Sequence, residues 1–153
     1  MNEELKKKYQ LLKKKNEAKV KEMCWMSNRL FVECIAALKN CDIINLEETE
    51  KMFDLLRVNF PMKITGCINW DIHKESKELK NVSDIYDIGC TSDEFFIVWD
   101  QKDIPCIRCD LLTILDNIDD VLAVSFDTWL LSESANEVIE FYHEGKITYC
   151  RLE

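Results

Sequence analysis

Residues that interrupt regular structure, and residues that many catalytic sites depend on, are both scarce in this sequence. Its 153 residues include only 3 Gly, 2 Pro and 2 His. This low content of Gly and Pro excludes a Pro/Gly-rich linker, a collagen-like segment and a low-complexity tract. The sequence also contains no internal repeat. We therefore predict one globular domain over residues 1–153, of which residues 1–20 form a basic helical extension.

Long apolar runs are also missing. The longest clear one, Phe95–Trp99, is far short of the ~20 residues that a membrane-spanning helix needs. The basic N-terminus is not followed by an apolar segment, so it does not have the pattern of a secretory signal. These absences predict a cytoplasmic protein without a membrane partner, whose eight cysteines are mostly reduced and buried.

Charge is unevenly distributed along the chain. The net charge is −9, but residues 1–80 carry 16 Lys+Arg and 13 Asp+Glu, whereas residues 81–153 carry 4 and 16. The acidic second segment would repel a phosphate backbone, so we predict that it does not bind nucleic acid. The same field would attract a cationic partner, although an acidic surface also serves solubility alone.

The N-terminal segment is the basic part. Residues 1–21 contain 8 Lys and 3 Glu, with the sequence KKK at positions 6–8 and again at 13–15. Nucleic-acid or membrane binding would favour arginine and interleaved aromatic residues, which this segment lacks. We expect a solvated helix end.

Hydrophobic spacing predicts the elements. A helix is expected over residues 3–39, and a second over residues 46–59, with Asn45 as N-cap, Glu48 at the capping-box position and Pro61 ending it. Asp110 could cap a further short helix. Strands are expected at residues 64–70, 95–99, 104–109, 121–126, 138–142 and 147–152. The sum is an α+β domain, with N-terminal helices packed on a mostly antiparallel sheet of about five or six strands.

The stretch IEFYHEGKITYC, residues 139–150, predicts the last hairpin in detail. A three-residue loop from His143 to Gly145, with Gly145 in the left-handed conformation, gives a consistent register. That register places four core residues on one face of the hairpin: Ile139, Phe141, Ile147 and Tyr149. It leaves His143 exposed at the tip without a held partner.

No recognisable catalytic, metal-binding or cofactor-binding motif is present. Cys106 and Cys109 form the one C-x-x-C pair, but Asp110 beside it would raise the thiol pKa values, and a second pair at zinc-site spacing is missing. The two histidines, His73 and His143, lie in no recognisable nucleophile motif. We predict a non-enzymatic protein without cofactor or metal; the catalytic alternatives are a thiol redox enzyme that uses Cys106 and Cys109, and a hydrolase that uses the paired carboxylates.

Three segments of the C-terminal third resemble a known class of protein. They are VWD at residues 98–100 with Pro105 following, IDDVLAVSFDTW at residues 118–129, and VIEFYHEG at residues 138–145. These segments resemble small bacterial immunity proteins encoded beside polymorphic toxins, including those of contact-dependent growth inhibition. The shared motifs describe a scaffold and are not catalytic signatures.

The resemblance implies a non-catalytic protein that binds and blocks the C-terminal domain of one cognate toxin. Such toxins are often nucleases with basic clefts, in which carboxylates can mimic phosphate. On electrostatic grounds we predict a partner-binding surface built from Asp84, Asp87, Asp93, Glu94, Asp100, Asp103, Asp116, Asp119 and Asp120. The alternative is an adaptor or assembly protein that docks or forms a homodimer through its N-terminal helix.

Overall fold

The structure, a computed structural model, describes residues 2–101 and 103–152, with no description of the side chains of residues 18–25. Five α-helices and seven strands occur in these residues. In chain order they are α1 (Glu3–Met26), α2 (Arg29–Leu38), β1 (Asp42–Ile43), α3 (Leu46–Asn59), β2 (Lys77–Leu79), β3 (Glu94–Trp99), β4 (Ile107–Asp110), α4 (Leu111–Asp116), α5 (Ile118–Leu122), β5 (Thr128–Ser132), β6 (Glu137–Phe141) and β7 (Ile147–Arg151). Two short 3₁₀ helices, Trp70–Ile72 and Val82–Asp87, lie in the connections beside β2.

The predicted α+β class is confirmed, but the sheet has seven strands where five or six were expected. Its order is β1-β4-β3-β5-β6-β7-β2, and every pairing is antiparallel. The additional strands, β1 and β2, lie at the two edges and contain two and three residues. Such short strands show no alternating pattern of their own, and short edges are how natural sheets limit edge-to-edge pairing.

The single helix predicted over residues 3–39 is wrong, because the chain forms two helices. α1 ends at Met26 and α2 begins at Arg29. The Asn28 side chain accepts a hydrogen bond from the Phe31 N–H at 3.1 Å, which caps α2. Asparagine bonds more favourably to a free helix-end N–H than to a helix interior, so it starts a new helix here.

The second predicted helix is confirmed at both ends. Asn45 Oδ1 accepts from the Glu48 N–H at 2.8 Å, and α3 ends at Asn59, just before Phe60 and Pro61.

The strand predicted at residues 64–70 is wrong. That segment holds only an isolated bridge between Met62 and Ile68, closed by a turn.

The strand predicted at residues 121–126 is also wrong. Residues 118–122 form α5, with Asp119 and Asp120 in its first turn, where carboxylates favour a helix over the strand that the apolar run suggested. Trp99 Nε1 donates to the Val121 carbonyl at 2.9 Å, which holds this helix against the sheet. The strand itself begins later, at Thr128.

Both faces of the sheet are covered. One face packs against α2, α4, α5 and the 3₁₀ helix Val82–Asp87, around a core that includes Phe31, Trp99 and Ile114. The other face packs against α3 and the segment 60–70. Together they form a second hydrophobic cluster, which includes Trp129 of the central strand β5. β3 is an interior strand, as its continuous apolar run predicts.

The closing hairpin has the predicted register. Ile139 pairs with Tyr149 and Phe141 with Ile147, and Gly145 has φ of 89°. The predicted core residues of this hairpin lie in the first core cluster. The opposite face of the hairpin is also buried, which the sequence did not indicate.

That opposite face includes one buried charged residue of the hairpin, Glu140. Its carboxylate is 2% exposed and accepts three hydrogen bonds: from the Ile68 N–H at 2.7 Å, from Trp70 Nε1 at 2.9 Å and from Trp129 Nε1 at 2.9 Å. A buried carboxylate is tolerated only when such donors replace its water. Glu140 therefore fixes the segment 60–70 against β5 and β6.

Replacing Glu140 with alanine should lower the free energy of unfolding by about 3 kcal/mol or more, because three buried N–H donors lose their acceptor. Urea unfolding followed by tryptophan fluorescence measures this change. Glu50→Ala, an exposed carboxylate in α3, is the control and should change stability by less than about 0.5 kcal/mol. Equal small effects of both variants would contradict the role of Glu140.

Candidate partner-binding surfaces

The nine predicted acidic residues do not form one patch. β3 pairs with β5 so that Phe95 faces Ser132 and Trp99 faces Thr128. Asp93 and Glu94 therefore lie at one end of the sheet, and Asp100 and Asp103 follow the other end. With about 3.3 Å per strand residue, Asp93 and Asp100 are separated by about 20 Å.

Three loops meet at the Trp99 end of the sheet. They are the described residues 100, 101, 103 and 104 after β3, residues 125–127 before β5, and residues 142–146 between β6 and β7. We call this surface the loop end. The Asp100 N–H donates to the Asp127 carbonyl at 3.3 Å, so the first two loops are bonded to each other.

Asp127 organises the loop end. Its side chain is 9% exposed, and Oδ1 lies 2.8 Å from the His143 N–H and 2.9 Å from His143 Nδ1. The expectation that His143 has no held partner is therefore wrong. The carboxylate that holds it comes from a loop 16 residues away, which hairpin geometry alone cannot reveal.

Phe126 is the exposed aromatic residue of this surface. Its side chain is 82% exposed, although the neighbouring Asp127 and Thr128 are buried. The ring lies edge-on to the His143 ring, with centroids 6.4 Å apart, and the centroid of the Tyr142 ring lies 4.1 Å from that of His143. Since Asp127 fixes His143, the aromatic group Phe126–His143–Tyr142 is positioned before any partner arrives.

Acidic side chains accompany these rings. Asp100, Asp103 and Glu144 are exposed in these loops, and their side chains make no hydrogen bond or ion pair with any residue that the structure describes. Of the predicted partner-binding residues, the loop end contains Asp100 and Asp103. An exposed apolar ring in a group of loops that also carries exposed carboxylates matches the composition of an interface anchor with a charged rim.

A second surface lies between the 3₁₀ helix Val82–Asp87 and α4. It is a cleft of about 380 Å³, and we call it the acidic cleft. Ile85 and Leu115 are buried in its floor, and Leu112 is an exposed part of its wall. The residues that line it are Ile85, Tyr86, Gly89, Cys90, Ser92, Asp93, Asp110, Leu111, Leu112 and Leu115.

Carboxylates border this cleft. Asp93 and Asp110 are exposed lining residues, and Asp116 accepts a hydrogen bond from the Tyr86 hydroxyl at 3.3 Å. The sequence predicted Asp93 and Asp116 as binding residues but missed Asp110 and Tyr86. Asp110 also caps α4: its side chain accepts from the Thr113 hydroxyl at 2.7 Å and from the Thr113 N–H at 3.0 Å, and these bonds lower the pKa of Asp110.

Two predicted residues already have internal roles. Asp84 accepts from the Lys80 and Asn81 N–H groups at 3.1 and 3.0 Å, which closes a capping box. Glu94 pairs with Arg108 at 2.6 Å, and Arg108 also contacts Glu133 at 2.9 Å. The remaining predicted residues, Asp87, Asp119 and Asp120, are exposed outside both surfaces.

The cysteines do not form a reactive pair. Burial raises the pKa of Cys106 to about 12, and burial followed by the Asp110 charge raises the pKa of Cys109 to about 11. A redox thiol requires the opposite shift. No group of three or more His, Cys, Asp or Glu side chains that could hold a metal occurs among residues 2–101 and 103–152.

In the folded protein, Cys106 and Cys109 should react with iodoacetamide far more slowly at pH 8 than in urea. A thiol of pKa about 11 is ionised to roughly one part in a thousand at that pH, compared with about a quarter for an unfolded cysteine. Peptide mass spectrometry after timed alkylation measures the ratio. Rapid, selective labelling of either residue in the native state would revive the redox interpretation.

Comparison with known proteins identifies a family. A family model described as CdiI immunity protein EcoliA0-like matches residues 28–150. No curated protein matches the sequence. Within the part of the chain that the structure describes, no helix combines the length and apolar content that a membrane crossing requires.

Proposed function

The chain belongs to the CdiI immunity protein family, and we propose that it neutralises a cognate toxin domain by binding it through the loop end. The protein acts by occlusion in the cytoplasm and carries out no reaction itself. The observation that carries the choice of surface is Phe126, an 82% exposed ring in a group of loops that also carries exposed carboxylates.

Shape favours the loop end over the acidic cleft for this role. The loop end consists of three loops that project beyond the strands, whereas the cleft is concave. A projecting surface can enter the active-site cleft of an enzyme, and a concave one cannot. Loops carried on a rigid sheet are also a common position for binding residues.

Charge supports a basic toxin domain, and we propose a nuclease. Asp100, Asp103 and Glu144 can occupy the positions of substrate phosphates in a basic cleft, while Phe126 enters an apolar pocket beside it. Close charge pairs at protein interfaces couple by about 1.5–7 kcal/mol, and attraction between opposite charges also raises the rate of encounter.

A second candidate function is self-association or docking through α1. Every described side chain of residues 3–17 is exposed, including Leu5, Tyr9, Leu11 and Leu12. A helix with this much exposed apolar area is consistent with an unfilled binding face. The two functions use different parts of the chain and are compatible.

Replacing Phe126 with alanine should weaken binding of the cognate toxin domain about 30-fold, which corresponds to about 2 kcal/mol. Calorimetry with the toxin domain encoded beside this chain measures the affinity, and co-expression measures rescue from toxicity. Ile64→Ala, which removes an apolar side chain at least as exposed as Phe126 and outside the loop end, should bind like the unmodified protein. If both variants bind equally well, the anchor lies elsewhere; if the unmodified protein neither binds nor rescues, the proposed function fails.

Replacing both Asp100 and Asp103 with asparagine should slow association with the toxin domain by about tenfold at low salt, and the difference should shrink at high salt. Stopped-flow or surface plasmon resonance over a salt series measures the rates. Asp87→Asn with Asp93→Asn removes the same charge from exposed positions away from the loop end. At physiological salt the Debye length is ~8 Å, well below the roughly 20 Å between Asp93 and Asp100, so this control should have a small effect there; at low salt its effect should remain smaller than that of the Asp100/Asp103 variant, because the removed charges are farther from the loop end.

A further inference from the structure

The N-terminal half of α1 presents an apolar stripe. Leu5, Tyr9 and Leu12 are spaced by four and three residues, so they lie on one face of the helix. Their side chains are 54%, 66% and 60% exposed. Among the described residues nothing covers this stripe, and α1 is 24 residues long, or about 36 Å, so the stripe lies far from the helix end that joins the domain.

Lysines border the stripe. At 3.6 residues per turn, Lys8 and Lys13 lie roughly 70° to either side of it, while Lys7 and Lys14 lie on the opposite face of the helix. All four side chains are exposed. The face formed by Leu5, Tyr9, Leu12, Lys8 and Lys13 is therefore apolar along its centre and positive along both edges.

The acidic cleft has the complementary pattern. Its floor and wall are apolar, with Tyr86 50% and Leu112 60% exposed, and carboxylates stand at its border: Asp93, Asp110 and Asp116. A helix laid in a groove is a recurring mode of recognition, in which apolar anchors enter the groove and charged residues pair along its edges. The basic helix and the acidic cleft match in both polarity and charge.

We propose that the stripe of α1 from one copy of this chain occupies the acidic cleft of a second copy. This inference rests on the second candidate function, self-association through α1, and is independent of toxin binding. Reciprocal exchange of the two helices gives a closed dimer with the same contact made twice. Lys8 and Lys13 pair with the carboxylates at the cleft border, and Tyr9 contacts its apolar wall.

The first test is sedimentation velocity of the full-length chain over a concentration series. The unmodified protein should form dimers that dissociate as salt is raised, since the contact depends on opposite charges. Lys8→Glu with Lys13→Glu should raise the dimer dissociation constant at least tenfold. Lys7→Glu with Lys14→Glu makes the same charge change on the opposite helix face and should have a much smaller effect.

The second test identifies the cleft as the receptor. Asp93→Lys with Asp116→Lys should also raise the dissociation constant at least tenfold, and Asp110 is left intact because it caps α4. A mixture of this variant with Lys8→Glu/Lys13→Glu should dimerise again. In the mixed dimer, one contact pairs the reversed helix with the reversed cleft, and the other pairs the two unmodified surfaces.

The outcomes separate the two levels of the proposal. If the unmodified protein is monomeric at every concentration, self-association through α1 fails altogether. A second outcome is that the helix variant is monomeric while the cleft variant still dimerises, or while the mixture of the two variants does not form dimers. In either case α1 mediates self-association, but the acidic cleft is not its receptor. Circular dichroism melting curves identify any variant that has lost its fold, and for such a variant Tyr9→Ala or Leu112→Ala replaces the charge reversal, with the same tenfold loss expected.

Discussion

The carboxylate of Glu140 is the constraint on which the second face of this fold depends. The segment 60–70 contains one isolated bridge and a turn, whose backbone hydrogen bonds join residues of the segment to each other and not to a strand of the sheet. Three donors converge on Glu140, two of them from that segment and one from Trp129 in the neighbouring strand. An irregular segment can cover a sheet only if its polar groups find such partners. Glu140 provides them and thereby closes the second hydrophobic cluster.

A second carboxylate of β6 also accepts hydrogen bonds from a connecting segment, on the other face of the sheet. Glu137 is fully buried, and its Oε1 accepts hydrogen bonds from the N–H and the hydroxyl of Thr91. Successive strand residues point to opposite faces, so Glu137 and Glu140, three positions apart, serve opposite layers. Each bonds a connecting segment to β6. The result is a sheet covered on both sides, whose loop end and acidic cleft remain at the surface.

Much of the fold could be predicted where local chemistry decides it. The cap at Asn45 and the hairpin around Gly145 depend on residues within a few positions of each other, and both were predicted correctly. The apolar run at residues 121–126 was misassigned, because short apolar runs suit a strand and a buried helix equally well. The burial of Glu140 depends on donors about 70 residues away, and no local pattern contains that information.

The same distinction between local and long-range information applies to the candidate binding surfaces. Charge counting identified the acidic half of the chain, but an acidic residue looks the same in sequence whether it caps a helix, as Asp84 caps its 3₁₀ helix, or stands free, as Asp100 does. Phe126 gave no signal either, since it lies within an apolar run and only the turn before β5 exposes its ring. What distinguishes a contact residue is which bonds it has left to make, and that is decided by tertiary packing.

The distribution of charge between the two ends of the chain then acquires a physical meaning. A uniformly acidic protein would repel its own copies as strongly as it attracts a basic toxin domain. Here α1 carries a net positive charge, with 8 Lys and 4 Glu, whereas residues 81–153 carry 16 Asp+Glu and 4 Lys+Arg. In the two proposals made above, a second copy of this chain and a basic toxin domain would both present positive charge to this acidic part. Their shapes would differ, because a helix fits the concave cleft whereas the projecting loop end fits a cleft of the toxin, so the two proposed contacts would not compete for one surface.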